Sequence, residues 1–246
     1  MLKELTKPID VDQLMVSGFR WPDHLSKAKN LNRDAIRPIS EPLLPEGGWA
    51  ILCGNLAPHG AVVKQSAVAP DMRQHRGPAR MFDGEHDAVA ALAAGEVQGG
   101  EVLIARYEGA RSGRGMREML VPAMMLAGRD LGRSVSLVTD GRFSDGSRGA
   151  CVGHVSPEAA DGGPIALVED GDQIEIDIPA RLLHLHVSTE DLCRRRRSWR
   201  PLERQLRGYL ARYAASVGPS HEGCLFQPCG SMREIADDTA PSAPHV

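Results

Sequence analysis

Two glycine-rich segments hold the side chains best placed to do chemistry: Tyr107-Glu-Gly-Ala-Arg-Ser-Gly-Arg-Gly-Met, running on to Arg117 and Glu118, and Asp140-Gly-Arg-Phe-Ser-Asp-Gly-Ser-Arg-Gly. Each follows an apolar stretch that reads as a strand. Each would therefore carry a carboxylate or hydroxyl, with backbone N–H groups freed by glycine, to the edge of a sheet, which is how α/β proteins build sites for anionic ligands. A second reading stays open on composition alone, because glycine-dense loops also serve as plain connections. By itself Ser144 is a turn serine, and Glu118 is an acid at a helix entrance, where the helix dipole favours it.

The remaining chemistry-bearing residues point elsewhere. Cys53, Cys151, Cys193, Cys224 and Cys229 are an odd, scattered set without a Cys-x-x-Cys pair, which argues against a disulfide framework and against a self-contained zinc or iron–sulfur site. His184 and His186 alternate with Leu183, Leu185 and Val187, placing both imidazoles on one solvated strand face. The run Arg194 to Arg197, with Arg200, lies on one helix of a chain whose net charge is −3, so it reads as a solvated face or a surface meeting a partner chain rather than a nucleic-acid site.

The elements that must position these residues follow from pattern. Up to about Pro45 the chain mixes Pro, Asp, Lys and Asn and reads as a lead-in segment, 1–45. Trp49-Ala-Ile-Leu-Cys and Gly60-Ala-Val-Val-Lys form a strand, turn, strand signal. Asp83 to Glu96 predicts a helix stopped near Gly95, Val102-Leu-Ile-Ala a buried strand, and the glycine-rich segment after it a loop. Glu118 to Arg129 predicts a helix with Pro122 tolerated in its first turn, and Ser134 to Thr139 a strand. Further strand signals sit at Ile165-Ala-Leu-Val, at Gln173 to Ile178 and at Leu182 to Val187. Ser188 caps a helix through Trp199, Glu203 to Ala215 makes another, and 218–246 reads as a disordered tail.

Strands outnumber helices and the two are interspersed, so the expected fold class is α/β: a mixed β-barrel-like domain over 46–217, flanked by helices. A composition of 42% hydrophobic and 25% charged residues is that of an ordinary globular protein, which excludes disorder throughout. No apolar run approaches the roughly 20 residues that cross a bilayer, and the first residues lack the apolar core of a secretory signal. The expectation is a cytoplasmic protein without a membrane or nucleic-acid partner.

The wording of five segments is more specific than their composition. Gly48-Trp-Ala-Ile-Leu-Cys-Gly-Asn-Leu-Ala-Pro-His-Gly-Ala-Val-Val-Lys, His75-Arg-Gly-Pro-Ala-Arg-Met-Phe-Asp, Arg106-Tyr-Glu-Gly with Gly115-Met-Arg-Glu-Met, Thr139-Asp-Gly-Arg-Phe-Ser and Gly153-His-Val-Ser-Pro-Glu-Ala resemble, in order, the C-terminal half of the dihydroxy-acid and phosphogluconate dehydratases. The resemblance runs from about Ile36 to about Cys224 and is closer to the dihydroxy-acid and sugar-acid branch. It implies a swivelling β/β/α barrel domain and a hydro-lyase that converts a small 2,3-dihydroxy acid to a 2-oxo acid and water, in branched-chain amino-acid biosynthesis. Ser144 then matches the proton-abstracting serine, and Glu118 the glutamate that ligates Mg²⁺, with Glu108 a weaker candidate nearby.

The resemblance also implies an iron–sulfur cluster as Lewis acid. The cysteines that bind it, and the other Mg²⁺ ligands, lie in an N-terminal half that this sequence does not contain. The chain is thus expected to act with an N-terminal-half polypeptide or homologous subunit and to be inactive alone. His154 and Ser156-Pro-Glu158 are read as shaping the loop beneath the site, His154 as core-facing and hydrogen-bonded, while Asn55, Lys64 and Arg142 either contact substrate or hold the loops. Arg114 and Asp145 stand where the family pattern has glycine, and an anionic Asp145 beside Ser144 would oppose alkoxide formation. His59 replaces the usual acidic residue. The alternatives are an inactive remnant or binding module, a sugar-acid dehydratase portion, and a swivelling domain like that of the aconitase group serving another acid.

Overall fold

The computed structural model describes residues 2–5, 10–144, 146–202 and 205–226. Asp145, Glu203 and the 227–246 part of the expected tail, including Cys229, lie outside the described residues, as does the side chain of Arg114. The chain divides into two units, Met1–Gly47 and Gly48–Val246. The first carries a 3-10 turn (Leu2–Leu5) and a short α-helix, α1 (Trp21–Leu25), which opens with Arg20 as N-cap and a capping-box bond from the Arg20 N–H to Asp23.

In the second unit eight strands close into a barrel: β1 (Ala50–Gly54), β2 (Ala57–Val63), β3 (Gln74–Phe82), β4 (Val102–Ala105), β5 (Ser136–Thr139), β6 (Cys151–Gly153), β7 (Gln173–Asp177) and β8 (Leu182–Leu185). Their order around the barrel is β1-β2-β6-β5-β4-β3-β7-β8. β3, β4, β5 and β6 are mutually parallel and the remaining pairs are antiparallel, except the single parallel bridge between β1 and β8. The mixed barrel expected from the sequence is the observed fold. Alternate residues such as Leu52, Val63, Ile104, Val138, Val152, Ile174, Ile176 and Leu183 fill its interior. Helices α2 (Glu85–Ala94) and α3 (Leu120–Gly128) pack outside through Ala88, Leu92, Ala123 and Leu126 against Leu103, Leu137 and Cys151. α4 (Thr189–Ser198) and α5 (Gly208–Ser216) follow β8.

Local signals set most boundaries. Gly95 ends α2 in the left-handed conformation at φ 76°, the stop its position suggested. The Ser188 side chain accepts the Asp191 N–H and opens α4. Pro122 falls in the first turn of α3, where its missing N–H is not needed. Glu118, expected at the entrance of that helix, lies just ahead of it.

Three expectations are corrected. Ile165-Ala-Leu-Val is a buried 3-10 helical turn (Pro164–Leu167), not a strand. Its carbonyls are satisfied by Arg106, whose Nη1 donates to Ile165 O, Ala166 O and Val168 O at 3.3, 2.7 and 3.0 Å, so no neighbouring strand is required. The loop after β4 contains one π-helical turn, Ala110–Arg114. The helix expected over Glu203–Ala215 spans Gly208–Ser216.

The longest strand, β3, gave no strand signal because Gly77-Pro78 interrupts it. Residues Gln74 to Pro78 pair with β7 and Ala79 to Phe82 with β4, so the proline marks the place where the strand changes partner. Short β6 was also missed, lying inside a glycine-rich stretch.

Candidate active site

The parallel strands all deliver their C-terminal ends to one rim, and the segments singled out in the sequence leave from that rim: Asp83 and Glu85 after β3, Arg106 to Glu118 after β4, Asp140 to Ser144 after β5 and His154 to Glu158 after β6. What holds them together is a set of buried acids. Asp140, fully buried, accepts the backbone N–H groups of Tyr107, Glu108 and Ala159 at 3.1, 2.9 and 2.9 Å. Glu108 Oε1 in turn accepts the Glu85 N–H at 3.0 Å, and Glu85 pairs with Arg117 at 3.0 Å. Glu158 Oε1 accepts the Arg111 N–H at 2.8 Å and so fixes the π-turn. Four loops are thereby tied to one carboxylate network.

Burial raises Asp140 to about 6 even though three N–H groups favour its anion. Glu158 is pushed up to about 8, first by burial and then by the charges of Asp140 and Asp161. A carboxyl that holds its proton more tightly folded than unfolded contributes stability below its unfolded pKa, and that contribution is lost as pH rises through the folded value. The chain is therefore expected to lose stability between about pH 4.5 and 8 through Glu158, with a slope of at most about 1.4 kcal/mol per pH unit. In Glu158→Gln, urea titrations at pH 6, 7 and 8 are expected to give nearly equal midpoints where the parent's fall.

The loop after β5 folds over the outer face of β6. Gly153 makes this possible: a Cβ there would stand 3.0 Å from Phe143 Cδ2 and 3.2 Å from Gly141 O. The His154 N–H then donates to Gly141 O at 2.7 Å, and His154 takes a left-handed φ of 56°. Between this loop and the outward-facing side of β2 and β6 lies a cleft of about 70 Å³ lined by Trp49, Lys64, Ser144, Ser147, Cys151 and His154, among others. Ser144 is half-buried, and its Oγ accepts the Gly146 N–H at 3.2 Å.

His154, expected to face the core with a hydrogen bond, instead lines this cleft, and its imidazole has no hydrogen-bond partner among the described residues. Burial, and then the Arg142 charge, hold it below the usual histidine range, hence neutral at pH 7. Burial pushes the Cys151 thiol up to about 12. Glu118 does not line the cleft. It sits half-exposed on the adjoining segment, where it pairs in a parallel bridge with Arg142, two residues before Ser144. The Met119 N–H donates to Arg142 O at 2.8 Å, and Arg142 Nε to Met116 O at 2.8 Å, so the two segments share a fixed register.

Asn55 exchanges two hydrogen bonds with the Leu185 backbone, both at 2.7 Å, and holds the barrel rather than the site. His186 pairs with Glu175 at 2.7 Å beside His184 on the β7–β8 face. Within the arginine run, Arg194, Arg196 and Arg197 are exposed, while Arg195 is tucked against Asp172 and Glu169. Sequence reasoning passed over Asp140, an acid directly after a strand that carries no mark of its own, and read Glu158 as shaping the loop beneath the site, without its bond to the Arg111 N–H. The four described cysteines are free and dispersed, and no group of three His, Cys, Asp or Glu among the described residues could hold a metal ion.

The parallel-strand rim of this mixed barrel thus carries Ser144 and Glu118 on two register-locked segments. Comparison with known sequences makes this specific: the pattern of the dihydroxy-acid/6-phosphogluconate dehydratase C-terminal domain matches residues 34–224. The chain belongs to that family. It is 49% identical over 233 residues to a dihydroxy-acid dehydratase of Caldanaerobacter subterraneus subsp. tengcongensis, covering 94% of this chain and 42% of the relative. Dihydroxy-acid dehydratases of Methanosarcina barkeri (48%; 91% and 41% covered) and Agathobacter rectalis (51%; 89% and 39% covered) match similarly. The chain thus spans about two-fifths of the length of the curated relatives it matches.

Proposed function

We propose that this chain supplies the C-terminal part of a hydro-lyase site that dehydrates a small 2,3-dihydroxy acid to a 2-oxo acid, acting with a cluster-bearing N-terminal-half polypeptide. The observation that carries the reading is the register lock between the Glu118 and Ser144 segments at one barrel rim. Ser144 removes the C2 proton as the hydroxyl leaves C3; the enol so formed tautomerises to the 2-oxo acid. Lys64 and Arg142 supply positive charge near the acid and near the developing alkoxide.

Glu118 fits a hard divalent cation. Its carboxylate is half-exposed and has no hydrogen-bond or ion-pair partner among the described residues, and Mg²⁺ prefers such oxygens with further ligands from elsewhere. Bound there, Mg²⁺ would hold the substrate carboxylate and 2-hydroxyl and lower the charge cost of the transition state. The dispersed cysteines do not fit an iron–sulfur cluster, whose ligands would come from the partner. Among the described residues no helix is long and apolar enough to cross a membrane; a cytoplasmic site of action is proposed with the rest.

The reading is tested by mixing the purified chain with the cluster-bearing N-terminal half of a dihydroxy-acid dehydratase and following 2-oxo acid formation from 2,3-dihydroxyisovalerate. Turnover in the mixture, and in neither part alone, is expected. A stable complex with an intact cluster and Mg²⁺ that yields no 2-oxo acid would overturn it in favour of a binding module.

A further inference from the structure

An alcohol is a poor base in water, so a serine that abstracts a C–H proton needs somewhere to send its own proton. The cleft beside Ser144 contains an acceptor. The Ser144 hydroxyl receives the Gly146 N–H but has no acceptor for its hydrogen among the described residues. The His154 imidazole lines the same cleft and likewise makes no hydrogen bond there. A donor without an acceptor and an acceptor without a donor thus share one small space.

The backbone keeps them together: the His154 N–H is bonded to Gly141 O, on the loop that carries Ser144, and Gly153 lets that loop lie flat on β6. Among the described residues, the other ionisable and charged groups around the cleft do not compete for the role. Lys64 is an ammonium and only donates, Arg142 is a permanent cation, and the Cys151 thiol is held protonated by burial. His154, kept neutral by burial and by Arg142, can accept a proton at pH 7.

We propose that His154 exchanges a proton with Ser144, accepting it from the hydroxyl and returning it to the hydroxide that leaves C3. The inference rests on the reading of Ser144 as the base. The Oγ–H bond breaks and an imidazole N–H bond forms, giving an alkoxide and an imidazolium without net charge change. The alkoxide takes the C2 proton and becomes serine again. The imidazolium protonates the departing hydroxide to water, and both side chains end as they began.

The coupling can be read on the chain alone. Ser144→Cys places a thiol at the same position, and its alkylation by iodoacetamide, resolved from the other cysteines by peptide mass spectrometry, reports thiolate formation against pH. A thiol beside an acceptor imidazole is expected to titrate below the free value of about 8.5. Adding His154→Asn should move the midpoint up by about one pH unit or more. Asparagine is chosen because it tolerates the left-handed backbone at this position.

An unchanged midpoint with and without His154 overturns the exchange. Should the double variant fail to fold, NMR titration of the His154 imidazole in Ser144→Cys answers the same question: an upward shift relative to the parent chain is expected, and none overturns it. The outcome is separable from the dehydratase reading, since loss of turnover in Ser144→Ala with no thiol–imidazole coupling would sink the relay alone.

Discussion

Ser144→Ala is expected to lower turnover of the completed dehydratase about 10²- to 10⁴-fold, the range typical of removing a positioned acid–base group. The loss should fall on kcat with KM little changed, because proton abstraction is an interaction made in the transition state and not in the ground state. Stability should hardly move. Among the described residues the Ser144 side chain receives one hydrogen bond, from the Gly146 N–H at a partly exposed position, and a bond of that kind contributes about 0.5–1.5 kcal/mol. Steady-state kinetics of the reconstituted complex, with thermal unfolding of the variant chain as control, separate the two effects. Activity within a factor of about ten of the parent would remove Ser144 from the role of base.

Asp140→Ala should act in the opposite manner, mainly on the fold. Asp140 is completely buried and receives the N–H groups of Tyr107, Glu108 and Ala159. Alanine would leave three donors without partners where water does not reach, at about 1–3 kcal/mol each. Their sum is a large share of the roughly 5–15 kcal/mol that holds a typical domain together. The variant is expected to unfold or to show a strongly lowered urea midpoint, with amide exchange at Tyr107, Glu108 and Ala159 accelerated first. Asp140→Asn, which retains one acceptor oxygen but turns an amide NH₂ toward a donor, should fall between. A loss below about 1 kcal/mol in the alanine variant would show that the rim loops are held by something other than this carboxylate.

These two residues stand four apart in one glycine-rich motif, yet only Ser144 was singled out from the sequence. Ser144 was named through the wording of its motif; its neighbour Asp140 carries no periodic or compositional mark, since a buried acid after a strand looks in sequence like any turn residue. The same gap explains β3 and the Pro164–Leu167 turn. A strand that changes partner at Pro78 breaks the run of strand-forming residues, and an apolar run whose carbonyls are taken by Arg106 no longer needs a sheet.

Local pattern and motif wording together determined the family, the mixed α/β barrel, most element positions, and the two segments from which Ser144 and Glu118 are presented. Those features depend on short-range choices: apolar alternation, a serine cap at Ser188, a glycine stop at Gly95. Only the tertiary structure decided that Asp140, Glu108 and Glu158 bind the loops into one rim, that the backbone of Glu118 bridges to that of Arg142, and that His154 opens onto the Ser144 cleft rather than into the core. The reason is physical: a carboxylate's partners are backbone N–H groups up to 47 positions away in the chain, and barrel closure alone brings such donors within hydrogen-bonding reach.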